Sequence, residues 1–194
     1  MSRHDRHFEA ASPVTLDEEN ALLRASLAEA RARIGELEED SDGDPLTRLP
    51  NRRRFLGELA RVVGRADRHG ATGALLFIDL KGLARINDAH GRIAGDAALV
   101  HVATLLSGLI RATDILARVG GDEFGLILDH LDHNSAIDTA DRLARCIAAH
   151  PADLGGARVA VEASIGTAAI LPGDSASEVM QRADRNMKLA QTGF

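Results

Sequence analysis

The sequence of 194 residues predicts an α+β domain, with one central sheet and helices packed mostly on one of its faces, preceded by a separate N-terminal helix. Three observations carry this expectation. The run Ala74-Leu75-Leu76-Phe77-Ile78 is continuously apolar, as a strand buried on both faces must be. Two further apolar runs, Ile115-Leu116-Ala117 and Phe124-Gly125-Leu126-Ile127-Leu128, flank Gly120-Gly121 and read as a β-hairpin. Segments with helical spacing separate the strands, giving the order helix, strand, helix, strand, strand, helix, strand, helix.

From the N-terminus, residues 1–15 carry no periodic pattern and are expected to be flexible. In residues 16–40 Leu16, Leu23, Ala30 and Leu37 recur at one heptad position, and Asn20, Leu27 and Ile34 at the other. Glu19 with Arg24, and Arg33 with Glu38, take the flanking g–e relation. This predicts a parallel coiled coil that makes a homodimer, with Asn20 fixing register and strand number. A single amphipathic helix lying on its own domain is the competing reading. Ser41-Asp42-Gly43-Asp44-Pro45 breaks the helix and opens the domain assigned to residues 41–194.

Asn51 is a good N-cap for a helix over 52–69 with Phe55, Leu59, Val62 and Val63 inward. The buried strand then ends in Asp79. Leu80 to Asp88 reads as a loop with a helical turn, and past Gly91 and Gly95-Asp96 a helix extends to about Arg111. The hairpin occupies 114–128. A helix over 135–149 turns Ile137, Ala140, Leu143, Ala144 and Ile147 inward, and one long strand is expected over 158–170. A final helix over 176–191 buries Val179, Met180, Ala183 and Met187.

Composition narrows the function classes. Hydrophobic residues make up 45% but aromatics only 3%, so the core is built from Leu, Ile, Val and Ala. A net charge of −6 argues against a DNA-binding surface. It does not exclude a nucleotide, because a divalent cation can stand between carboxylates and phosphates. The single cysteine, Cys146, permits no intrachain disulfide and fits a reducing compartment. No apolar run approaches the ~18 residues that span a bilayer, and Met1 to His7 lead into no apolar segment. The expectation is a soluble cytoplasmic protein with no membrane contact.

The chemistry gathers at the hairpin. Asp122 and Glu123 stand where a strand enters the core, and Gly120 and Gly121 leave the backbone bare for a bulky anion. That suits a metal–phosphate, although acids beside a turn also simply face water. Asp79, at the end of a buried strand, invites the same two readings. Gly82 lies where a strand passes into a helix, a place where backbone N–H groups can meet phosphate.

Gly120-Gly121-Asp122-Glu123-Phe124 resembles the motif that names the GGDEF domains, the diguanylate cyclases. The resemblance extends over roughly 41–191. It includes Asp44, Leu46, Thr47, Leu49, Asn51 and Arg52 in the first motif, then Asp79, Ile86-Asn87-Asp88, Gly91 and Gly95-Asp96. Ser164-Ile165-Gly166 and Ala183-Asp184 continue it. It implies a five-stranded, antiparallel-rich sheet of the nucleotidyl-cyclase and polymerase-palm kind. It implies condensation of two GTP molecules into cyclic di-GMP and two pyrophosphates by a dimer, each subunit holding one GTP and two Mg²⁺ or Mn²⁺ ions. On this likeness Asp79, the Leu80 carbonyl, Asp122 and Glu123 hold metal, and Glu123 with Asp122 is catalytic. Asn87 and Asp96 read guanine, while Gly82, Leu83, Arg92, Gly120 and Gly121 border the substrate. Arg111-Ala112-Thr113-Asp114 matches the inhibitory RxxD site for the product, with Arg111 and Asp114 as its binding residues.

The chain departs from the pattern where phosphates are expected. Lys81, Leu83 and Ala84 replace an Asp, a Phe and a Lys, and Arg92 replaces a His. In the last helix Lys188 stands for a Tyr and Gln191 for a Lys, and the sequence given stops at Phe194 before a usual Gly-Arg-Asn. Two functions follow: an active or weakly active cyclase, or a receptor or scaffold that binds cyclic di-GMP or GTP.

Overall fold

The computed structural model describes residues 20–29 and 42–192. The chain divides into two compact units, Met1–Asp40 and Ser41–Phe194. In the first, residues 20–29 are helical (α1) and exposed, Leu22, Leu23 and Leu27 among them. The rest of the heptad segment and the flexible start assigned to 1–15 lie outside the described residues.

In the second unit α2 runs Arg52–His69, β1 Gly73–Lys81, α3 Leu83–His90, α4 Arg92–Ser107, β2 Ile115–Arg118 and β3 Glu123–Asp129. Then follow α5 His133–Ala149, β4 Ala152–Asp153, β5 Arg158–Val159, β6 Glu162–Ile170 and α6 Ala176–Thr192. The Asn51 side chain accepts from the Arg54 N–H at 3.1 Å and caps α2, as its sequence position predicts. Gly70, at φ 63°, ends the helix.

The main sheet has the order β2-β3-β1-β6, and every pair in it is antiparallel. It has four strands among the described residues, where the resemblance implies five. The long strand expected over 158–170 is split. Gly155 and Gly156, at φ 77° and 104°, fold the chain back so that β5 pairs with β4 in a separate two-stranded ribbon. Nor do the helices crowd one face. α3, α4 and α5 pack on one side, against Ala74, Leu76 and Ile78, and α2 and α6 on the other, against Leu75 and Phe77. The cause is β1 itself, whose alternate residues are apolar on both sides and demand two cores. The helix expected to reach Arg111 stops at Ser107, and a turn closes at Arg111, whose carbonyl accepts from the Asp114 N–H at 3.0 Å.

The connector before α2 is fastened to the hairpin. Asp44 accepts from the Thr47 N–H at 2.7 Å and pairs with Arg118 at 3.2 Å, and the other arm of Arg118 donates to the Gly121 carbonyl at 2.6 Å. Burial pushes the Asp44 carboxyl up, but the Thr47 hydrogen bonds and the Arg118 guanidinium outweigh it and leave the carboxyl below its ordinary value. A carboxylate lowered on folding stabilises above its unfolded pKa, and that stabilisation is lost as pH falls through the lowered value. Asp44→Ala is therefore expected to cost about 1.5–3 kcal/mol at pH 7 in urea denaturation. The gap from wild type should narrow at pH 3, and a gap independent of pH would contradict the ionic account.

Candidate active site

Antiparallel register fixes the centre of the site. Asp79 on β1 faces Glu123 on β3 to one side and Ser164 on β6 to the other. Cross-strand partners share a face, so Glu123, Asp79 and Ser164 form a row on the α2/α6 side of the sheet. Asp122 is bound to the same strand end, its carbonyl accepting from the Leu80 N–H at 3.0 Å. The turn closes when the Glu123 carbonyl accepts from the Val119 N–H at 2.9 Å and the Gly120 N–H at 3.3 Å. The Glu123 side chain folds back over Gly120, into the space a Cβ would fill, so this glycine makes room for the carboxylate.

Burial first and like charge second push two acids of the row up. Burial, then the charge of Asp122, pushes Asp79 up, against a hydrogen bond from Gln191 and the charge of Lys81. Burial, then Asp122, Asp79 and Asp184, pushes Glu123 up, against Arg52. Acids that repel one another beside an open turn suit a divalent cation. Among the described residues no three His, Cys, Asp or Glu side chains converge into a cage. Mg²⁺ or Mn²⁺ needs only one or two protein carboxylates and fills its shell from substrate phosphates and water. Asp79 and Glu123, in register, with Asp122 beside them, are the carboxylates from which such an ion would be held.

On the opposite face α3 and α4 form a helical pair joined at Gly91, which has φ 84°. The Asn87 amide occupies the space that a side chain at Gly95 would take, and Asp96 follows on the exposed side of α4. Asn87 thus packs against the residue that precedes Asp96, and Gly95 is what allows it. Gly82, at φ 81°, caps α3 without a side-chain hydrogen bond, so the helix presents its first-turn N–H groups uncapped. Leu83 opens that turn, Arg92 opens α4 and is exposed, and the Arg85 guanidinium folds back over Gly82.

Arg111 and Asp114 lie apart from this site. The Asp114 carboxylate accepts from the Arg111 N–H at 2.9 Å, so it holds the turn in which both stand. Both line a cavity of about 70 Å³ with Arg142 of α5, which donates to the Leu109 carbonyl at 3.4 Å. Sequence reading passed over Arg142, an ordinary exposed helical arginine by spacing. It also gave no role beside the acidic row to Arg52 and Asp184, whose charges act on Glu123, or to Ser164, the cross-strand partner of Asp79. In α6, Lys188 is engaged by Asp184 at 2.7 Å, and the Gln191 amide donates to Asp79 at 2.5 Å.

Residues 41–193 match the family model described as "Diguanylate cyclase, GGDEF domain". A bifunctional diguanylate cyclase/cyclic di-GMP phosphodiesterase, MucR of Pseudomonas aeruginosa, is 36% identical over 89% of this chain and 25% of its own length. The diguanylate cyclase TpbB of the same species is 33% identical over 97% of this chain and 46% of its own length. The chain thus spans less than half the length of these relatives. Among solved structures, the coiled coil and GGDEF domain of DgcB from Caulobacter crescentus, in complex with c-di-GMP, superposes with a TM-score of 0.75 at 26% identity. That likeness covers 92% of this chain and 95% of the other. SiaD of P. aeruginosa, a diguanylate cyclase crystallised with its activator SiaC, gives 0.75 at 29% identity over 91% and 68%.

Proposed function

The chain belongs to the GGDEF-domain family of diguanylate cyclases, and from that premise we propose that it condenses two GTP molecules into cyclic di-GMP and two pyrophosphates. The single observation that carries this reading is the acidic row, in which Asp79 and Glu123 stand in register with Asp122 beside them. Bound Mg²⁺ or Mn²⁺ would supply Lewis-acid activation of the attacking hydroxyl and neutralise charge on the phosphates.

The chain's own residues do the rest. Asn87 and Asp96 hold the guanine edge, where a carboxylate accepts from N–H donors and an amide meets the remainder. The uncapped start of α3 at Gly82 and Leu83 receives phosphate, with Arg85 and Arg92 as nearby cations. Gly120 and Gly121 let the phosphates approach, and Glu123 assists loss of the proton from the ribose 3′-hydroxyl. Each subunit holds half of the reaction, so a homodimer through residues 16–40 completes the site. The exposed leucines of α1 suit such a partner. GTP as substrate sets the reaction in the cytoplasm. No described helix is long and apolar enough to cross a membrane.

The test is an endpoint assay of the purified chain with GTP and Mg²⁺ or Mn²⁺, with cyclic di-GMP and pyrophosphate quantified separately. Both should form, in a ratio of one to two. GTP binding without product would favour the receptor reading, which draws on the engagement of Lys188 by Asp184 and the neutral side chain at 191. Product feedback is assigned to Arg111 and Asp114, with Arg142 as a third contact from the same cavity. Arg111→Ala is expected to weaken cyclic di-GMP binding at least tenfold by titration calorimetry, as loss of a charge-assisted contact should. Unchanged affinity would remove the site from consideration.

A further inference from the structure

The last turn of α6 ends at the acidic row, and it does so through an amide. β6 and α6 run in opposite directions and are tied at two points, four residues of helix to two of strand. Arg182 donates to the Ala169 carbonyl at 2.6 Å and Asn186 to the Thr167 carbonyl at 2.7 Å. At Gly166 the α6 backbone of Ala183 and Met187 fills the space a side chain would need. Four residues of helix advance ~6 Å and two of strand ~6.6 Å. With Met187 over Gly166, Gln191 therefore falls level with Ser164, the cross-strand partner of Asp79. Residues 183, 187 and 191 share one helical face, and from there the Gln191 amide reaches Asp79 Oδ2.

We propose that Gln191 is a positioning residue for Asp79: it fixes the carboxylate by one N–H···O bond at Oδ2 and leaves Oδ1 for a divalent cation. The inference rests on the reading of Asp79 as a metal ligand. A lysine here would neutralise the carboxylate it touched and compete with the metal. A neutral amide orients the group and leaves its charge intact, as outer-shell donors do for metal ligands. Ser164, 4% exposed, has a buried hydroxyl without a hydrogen-bond partner and stands on the same face as Asp79. In this chain α6 thus serves the metal through its ligand, where the resemblance has α6 serve the phosphates directly.

The test uses the full chain without nucleotide and Mn²⁺ as the probe, with free Mn²⁺ followed by electron paramagnetic resonance. Gln191→Met keeps the length and apolar stem but removes the donor, and is expected to weaken Mn²⁺ binding about tenfold. Gln191→Lys should weaken it further. The melting temperatures of both should stay within about 2 °C of wild type, because Gln191 is exposed. The proposal is overturned if Gln191→Met binds Mn²⁺ like wild type, or if Gln191→Lys binds it more tightly. It is overturned equally if wild type takes up no Mn²⁺ at millimolar concentration, or if affinity falls only in step with thermal stability. Failure of the cyclase reading is separable: a chain that makes no cyclic di-GMP yet loses Mn²⁺ affinity in Gln191→Met retains this role for Gln191.

Discussion

Asp122→Asn is expected to reduce cyclic di-GMP formation by about 10²–10³-fold, the usual cost of removing one preorganised electrostatic group from a reaction centre. It should also stabilise the apo protein, by about 1–3 °C in melting temperature. Asparagine keeps the shape of aspartate, and the bond from the Leu80 N–H uses the Asp122 backbone carbonyl, which survives the substitution. What disappears is a charge that pushes both Asp79 and Glu123 up. The sign of the pH dependence follows. An acid raised on folding favours the folded state at low pH, and that advantage is lost as pH rises through the raised value. At pH 8 wild type therefore carries the full repulsion, and at pH 4 much of it is discharged. The stabilisation by Asp122→Asn should be larger at pH 8 than at pH 4 in thermal scans without metal. Destabilisation at pH 8 would mean that Asp122 is structural and not a member of a repelling site.

Gly166→Val should be the most damaging single change away from the chemistry. A Cβ at 166 would overlap the Ala183 carbonyl and the Met187 N–H. These are backbone atoms of a regular helix, so no side-chain rotation relieves the clash and α6 must lift. The expected loss is about 3 kcal/mol or more in urea denaturation, at the upper end of overpacking costs. A lifted α6 also withdraws Gln191 from Asp79, so Mn²⁺ affinity should fall in the fraction that remains folded. Gly120→Ala makes a useful contrast. There the obstacle is the movable end of the Glu123 side chain, so catalysis should suffer far more than stability.

Local signals were legible where local chemistry decides. Asn51 caps α2 as its position foretold, the apolar run of β1 lies between β3 and β6, and Gly120-Gly121 turns a hairpin. Sequence reading failed where a partner distant in the chain decides. It also missed one local signal: Gly155-Gly156, read only as part of a loop, turns the chain so that Arg158 pairs with Asp153, which splits the expected strand. The placement of helices on both faces was implied by the all-apolar β1 and was misjudged for want of following that implication to its end. α3 was reduced to a helical turn because eight residues carry little periodicity. The same division holds in the site. Asp79, Asp122 and Glu123 carry their meaning in their neighbours, whereas the bond from Gln191 to Asp79 joins residues 112 positions apart. Sequence marked Gln191 only as a missing lysine. Ser164 and Arg142 look ordinary until the fold sets them beside Asp79 and Asp114.

The two ends of the Asp79–Gln191 bond belong to different kinds of element. β1 is paired on both sides over Gly73–Asp79, so its amides should exchange with deuterium only on global unfolding. Gln191 stands on a helix that rests on one face of that sheet. The backbone of Asp79 is thus anchored in the sheet, while the direction of its carboxylate depends on the docking of α6.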